Sequence, residues 1–295
     1  MASNAKRVLG RSFVFGRDLI VKTAARELVT PFTGFVLSDA FLSSEVEKYG
    51  LEDLNSRSRN LAHTTDFQGI KTAYVQVDQL EVFQARILPK MQESFTLITG
   101  KWHLPGLKMS QAVEKVLGNP LVTAWFSQNQ IYADLPIFPF PYGINLSSAP
   151  LVLWLRTRRL FSPGGDRQGV FVPNAAIYTE GHSPREAHEE RIVLEPLMRE
   201  RMRFPKYLSE ILAHKYVACP PGDRYDTFRH WETIALGAIP ITTFPEKFRD
   251  LFEDAVLETD NIASAVRSIG KFPAVRPKPN LATVRYWEKR LADVR

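Results

Sequence analysis

The run His214-Lys215-Tyr216-Val217-Ala218-Cys219-Pro220-Pro221-Gly222, continued through Asp226, Arg229 and Trp231-Glu232 to Gly237-Ala238-Ile239-Pro240-Ile241, decides the fold. Tyr216 to Cys219 reads as a short strand that breaks at the Pro-Pro-Gly turn. A polar loop follows, and Asp226 or Thr227 is placed to cap a helix running from Phe228 to Leu236. Gly237 ends that helix, and Ala238 to Thr242 begins the next strand. Strand, helix and strand in this order imply a parallel sheet. Ligands of such sheets collect in the crevice at the carboxyl ends of the strands, where a helix N-terminus offers unpaired N–H groups and partial positive charge to phosphate. Arg229 and Glu232, three residues apart, share one helix face. The guanidinium suits a diphosphate, and the carboxylate suits two ribose hydroxyls. An isolated Arg-x-x-Glu is ordinarily a surface ion pair; the complete string is what turns the reading toward a nucleotide.

Working outward, the same alternation recurs. Gly34-Phe35-Val36-Leu37 reads as a strand ending at Ser38-Asp39. Thr72 to Val77 reads as a strand, Leu80 to Met91 as a helix, Phe95 to Ile98 as a strand, and Leu121 to Phe126 as another. Arg156 to Gln168, basic and carrying Ser162-Pro163-Gly164-Gly165, reads as a solvated linker. Beyond it come a strand at Gly169 to Val172 and helices at Arg185 to Met198 and Lys206 to His214. The expected fold class is therefore α/β, with an N-terminal α/β domain at 1–160, a second at 161–280, and a C-terminal helix in 281–295. No internal repeat is visible.

Composition narrows the class. The 295 residues carry a formal charge of +6, which calls for an anionic partner such as nucleic acid, a membrane surface or a phosphorylated small molecule. The only dense basic run, Arg156-Thr157-Arg158-Arg159, is too short to argue for nucleic acid. A single cysteine, Cys219, allows no internal disulfide and no zinc framework. No apolar run approaches the roughly 20 residues of a membrane helix, so no membrane span and a cytoplasmic location are expected; a Golgi lumen would require an anchor outside this chain. No Gly-x-Gly-x-x-Gly, Walker loop or Gly-x-Ser-x-Gly elbow is present, and His188-Glu189 lacks the second histidine of a zinc motif.

The segment quoted above resembles the nucleotide-sugar half of exostosin-like glycosyltransferases. Leu97-Ile98-Thr99-Gly100, Trp125-Phe126-Ser127-Gln128-Asn129 and Pro141-Tyr142-Gly143-Ile144-Asn145 add a weaker similarity to the same group. The resemblance touches most of the chain, densely only near 205–245. It implies a GT-B fold, in which two Rossmann-like domains with parallel sheets face each other across a cleft. Donor would bind the second domain and acceptor the first, with the C-terminal helix around Trp287 as a candidate to cross back. The implied activity is inverting, metal-independent transfer of xylose, galactose, glucuronic acid or a similar sugar from a UDP-sugar to an oligosaccharide or glycoprotein glycan. A GDP-fucose donor and a non-catalytic carbohydrate- or nucleic-acid-binding protein are the alternatives.

By the resemblance, Pro221, Gly222, Tyr225, Asp226, Arg229, His230 and Glu232 would surround the donor, with His182 and a second cation, Arg185 or Arg191, near the diphosphate. Trp102, His103, Asn129 and Tyr142 would meet the acceptor. No Asp-x-Asp occurs in the sequence, so no metal and no cofactor are expected, and protein cations must hold the leaving group. Departures from the pattern are Asp223-Arg224-Tyr225 in place of a smaller turn, His230 before Trp231, and Lys101-Trp102-His103 after Gly100. Inversion needs one base for the acceptor hydroxyl. Asp78 and Asp39 each follow an expected strand, Asp78 being preferred, and His63, Asp66 and His103 are weaker alternatives. An ordinary helix N-cap is the competing role for either aspartate.

Overall fold

The computed structural model describes residues 19–102, 107, 109–128, 135–161, 167, 169–174, 192–222, 224–271 and 275–294. Two parallel sheets organise them. The first comprises β1 (Ala40–Leu42), β2 (Arg59–Asn60), β3 (Thr72–Gln76), β4 (Phe95–Gly100), β5 (Val122–Ser127) and β6 (Phe138–Pro139), in the order β2-β1-β3-β4-β5-β6. The second comprises β7 (Val170–Phe171), β8 (Tyr216–Ala218), β9 (Ile239–Thr242) and β10 (Leu257–Glu258), in sequential order. Strands β1, β3, β4, β8 and β9 are buried throughout, as parallel strands covered on both faces require. The chain is α/β with two parallel sheets, as read.

The principal helices are α1 (Leu19–Glu27), α2 (Gln111–Leu117), α3 (Ala149–Phe161), α4 (Phe204–Ala213), α5 (Phe228–Ala235), α6 (Ile262–Arg267) and α7 (Val284–Val294). Gly34 to Leu37 is not a strand. Thr33–Val36 forms a helical turn instead, and the Asn55 amide donates to the carbonyls of Phe35, Val36 and Ser38 at 3.1, 3.0 and 2.7 Å. Those bonds use the carbonyls a sheet ladder would need. Gly34 brings the turn onto the sheet, since a Cβ there would lie 2.8 Å from both Tyr74 and Ile98. Residues 77–90 are helical but uneven, tightening at both ends and widening to a π-helical stretch at Phe83–Ile87, with Pro89 in the last turn. Of the helix expected at Arg185 to Met198, the part before Ile192 lies outside the described residues.

Of the expected linker at Arg156 to Gln168, residues 162–166 and 168 lie outside the described residues, and the start of it is helical. Arg156 to Arg159 belong to α3, and two arginines of the region reach across to close the end of α5. Arg159 donates to the carbonyl of Leu236, while Arg167 donates to those of Leu236 and Gly237 at 3.0 and 3.1 Å. Last-turn carbonyls lack intrahelical partners and carry the negative end of the dipole, so guanidinium groups suit them. Burial, reinforced by Arg159, lowers the Arg167 pKa to about 10. Gly237 has φ +67, and a Cβ there would strike the Arg159 guanidinium.

One apolar core joins both halves. It runs from Val21 and Phe35 through Phe126 and Phe140 to Trp231, Phe252 and Trp287. The Trp287 ring, on α7, meets Phe140 edge-on at 5.4 Å and Trp231 at 6.3 Å. Just before α7, Ala282 accepts from Val29 N at 3.1 Å, and Leu28 bridges Thr283. The C-terminal helix is thus packed against α1 of the first half and the core of the second.

Candidate functional site

Strand β8 ends at Ala218, and Cys219 to Gly222 carry the chain past the sheet edge toward α5. Thr227, extended at φ −121 and ψ 166, caps that helix together with His230, whose Nδ1 accepts from Thr227 N at 3.1 Å. The other ring nitrogen, Nε2, lies 2.8 Å from Thr242 Oγ1, and the ring stacks on Phe252. Burial drives the His230 pKa down to about 3, so the imidazole is neutral, accepting at Nδ1 and donating at Nε2. His230 therefore faces the interior, against β9, and does not line the cleft described below.

Arg229 and Glu232 face a cleft of about 1230 Å³, larger than the roughly 300–1000 Å³ of ordinary small-molecule sites. Pro220, Pro221, Gly222, Thr227 and Phe228 line its floor beside them. Phe171 at the end of β7, Pro173 and Asn174 after it, and Arg201 to Phe204 with Tyr207 at the start of α4 form further wall, while Asn145, Ser147 and Ser148 come from the first half. Arg229 Nη2 donates to the Asn174 carbonyl at 3.1 Å, and its Nε is buried without a hydrogen-bond partner. Glu232 is only 5% exposed; it accepts from Tyr207 OH at 2.9 Å and Ser148 Oγ at 3.4 Å. The two are thus not a surface ion pair. Burial raises the Glu232 pKa to about 7, against the opposing pull of Tyr207, Arg229 and Ser148. Burial and the Glu232 charge also push the Tyr207 hydroxyl well above its ordinary value.

Other expected donor and acceptor residues have different work. Asp226 turns inward, where Oδ2 accepts from Tyr142 N at 2.7 Å and Trp231 Nε1 at 2.8 Å. It ties the two halves together, and burial raises its pKa to about 6. Tyr225 packs on Phe248 at 4.9 Å and does not line the cleft. Tyr142 is buried between Phe228, stacked at 4.6 Å, and the Arg224 guanidinium, 3.7 Å from its ring centroid. Its hydroxyl donates to the Trp102 carbonyl, and Trp102 is itself packed on Phe32 and Tyr49. Neither ring offers an exposed face to a sugar. His103, Asn129, His182, Arg185 and Arg191 lie outside the described residues.

No family model matches this chain, and no curated protein is similar to it by sequence.

The two aspartates lie at opposite ends of the first sheet. Because the first strand is Ala40–Leu42, Asp39 precedes it, at the amino edge, where its carboxylate accepts from Lys71 N and Thr72 N at 2.9 Å each. That position is remote from the carboxyl edge where ligands of parallel sheets bind. Asp78 does follow β3 at the carboxyl edge, but Lys101 Nζ lies 2.6 Å from Oδ2 and Gln76 Nε2 donates to Oδ1 at 2.7 Å. Both carboxylate oxygens are therefore already engaged. His63 pairs weakly with Glu47 at 3.9 Å, and Asp66 with Arg59 at 3.1 Å, both exposed.

Sequence reasoning missed Glu45, Arg201 and Arg203. Glu45 follows β1 and accepts from Trp102 N at 3.0 Å, while its own N–H donates to Gln76 Oε1 at 2.9 Å. The strand order reverses between β1 and β3, so Glu45 and Asp78 occupy the switch point of the first sheet. Ala40-Phe41-Leu42 followed by a Ser43 cap was the available signal. Arg201 and Arg203 are exposed cations on the cleft wall.

A second hollow of about 1120 Å³ lies between β10 and α7. Several of its charges neutralise each other, as in Arg249–Glu258 at 2.8 Å and Lys278–Glu253 at 3.3 Å. Among the described residues no cluster of three or more His, Cys, Asp or Glu is arranged to hold a metal, and no helix is long and apolar enough to cross a membrane.

Proposed function

We propose that the protein is a GT-B glycosyltransferase that passes a sugar from a uridine-type nucleotide-sugar to a carbohydrate hydroxyl, with inversion and without a metal ion. The observation that carries this reading is Arg229 and Glu232 on one face of α5, unpaired with each other and lining a cleft to which both halves contribute. Glu232 would accept the ribose hydroxyls while keeping the Tyr207 and Ser148 bonds, since a carboxylate has about four acceptor positions. Arg229 would hold the diphosphate and stabilise its charge as it leaves. In the reaction, the acceptor oxygen bonds the anomeric carbon as the carbon–phosphate-oxygen bond breaks. The departing nucleoside diphosphate takes the electron pair, and the hydroxyl proton passes to a carboxylate. Asp78 and Glu45, both at the switch point of the first sheet, are the candidates for that base.

A second reading, a nucleotide-sugar-binding protein without turnover, is favoured by one feature: Asp78 is neutralised by Lys101. Calorimetric titration with nucleotides, followed by a screen of UDP-sugars for hydrolysis, separates the two. The transferase reading expects selective uridine diphosphate binding, weakened roughly tenfold or more in Glu232→Ala as charged hydrogen bonds are lost, together with slow hydrolysis of one donor. Binding without hydrolysis of any donor points to the second reading, and salt-sensitive binding of DNA or RNA in its place refutes both.

A further inference from the structure

The geometry points to Phe204 as the platform on which a nucleobase stacks, an inference that rests on the nucleotide reading of the cleft. Phe204 opens α4, ahead of Pro205, and its ring is 38% exposed on the cleft wall. Burial of such a ring stabilises a fold, yet here it stands outside the core. Its neighbours Met202 and Tyr207 pack against that core.

Three aromatic rings form a row leading outward. Phe171, at the end of β7, is buried; Tyr207 lies 6.1 Å from it; Phe204 lies 5.8 Å beyond, tilted 33° to Tyr207. The middle ring marks the position of the sugar, because its hydroxyl donates to Glu232. A ribose whose 2′ and 3′ hydroxyls reach Glu232 therefore sits beside Tyr207. Arg229 precedes Glu232 by one turn on α5, which takes the 5′ phosphates to that side. The base, attached at the opposite end of the ribose, then extends along α4, where the next ring is one turn away, about 5.4 Å. That ring is Phe204. Stacking accepts any base because every base has a π face, so Phe204 supplies affinity for the nucleotide and leaves the choice of uracil to polar groups.

The test compares the wild-type chain with Phe204→Ala and Phe204→Trp, each titrated with uridine diphosphate and with inorganic pyrophosphate. The expected result is that Phe204→Ala weakens uridine diphosphate roughly tenfold, leaves pyrophosphate unchanged, and is matched by retained affinity in Phe204→Trp. Equal uridine diphosphate affinity in Phe204→Ala and wild type would overturn the platform while leaving the nucleotide reading in place. Parallel weakening of both ligands would also overturn it, by showing that the start of α4 had moved. If the wild-type chain binds no uridine diphosphate, the nucleotide reading fails and the platform with it.

Discussion

At the carboxyl edge of the first sheet, Asp78 is bound by Lys101 and Gln76, and Glu45 is bound to the Trp102 backbone. At the edge of the second, Arg229 uses one donor on a backbone carbonyl and keeps a buried Nε without a partner, while burial raises the pKa of Glu232. Both edges are polar, but the first is closed upon itself and the second is open to an anion. The lesson is that a strand-end carboxylate marks a ligand site only when its partners leave it something to do. Between the edges lies the shared core, with buried Asp226 as the polar tie.

The largest effect should come from attacking what the two regions share. Trp287→Ala is expected to cost about 3–5 kcal/mol, and chemical denaturation of the wild type should show coincident transitions for probes in the two halves. Two separated wild-type transitions would show that the halves fold apart. Next, Asp226→Ala leaves Tyr142 N and Trp231 Nε1 buried without acceptors, for a loss of about 2–3 kcal/mol, read from the denaturation midpoint at constant slope.

A smaller effect, on the order of 2 kcal/mol, concerns pH. Glu232 has its folded pKa raised from 4.5 to about 7, so its favourable contribution is complete below pH 4.5 and is lost as pH rises to about 7. Asp226 acts in the same direction between 3.8 and about 6. His230 opposes them, because its pKa falls from 6.5 to about 3 on folding and its contribution is lost as pH drops through that window. Glu232→Gln should therefore flatten the decline in stability between pH 5 and 7; an unaltered slope would remove Glu232 as its source. The smallest effect belongs to the closed edge. Lys101→Ala should change stability by less than about 1 kcal/mol, the pair being partly exposed, while donor hydrolysis rises if Asp78 is the base and stays level if it is not.

The strand, turn and helix around Pro220-Pro221-Gly222 were legible because breakers and periodicity act within a few residues. The shared face of Arg229 and Glu232 was legible for the same reason, being a consequence of helical spacing. Asp39 was misplaced because the strand was read six residues early: Gly34 to Leu37 has the apolar look of a strand, and only Asn55, a distant residue, holds its carbonyls in a helical turn. Arg156 to Arg159 were read as solvated because their charge is visible locally and the carbonyls of Leu236 and Pro279, which receive two of them, are not.

What the sequence determined by itself is the α/β alternation, the parallel pairing it requires and the helix that carries Arg229 and Glu232. What only the tertiary structure decided is which polar groups face the cleft and which are used in holding the halves together. Tyr207, 25 residues from Glu232, and Ser148, 84 away, are what the carboxylate meets; Tyr142, also 84 residues away, is what turns Asp226 inward. Backbone form follows from near neighbours, whereas burial and hydrogen-bond partners are set by segments that meet only when the chain has folded.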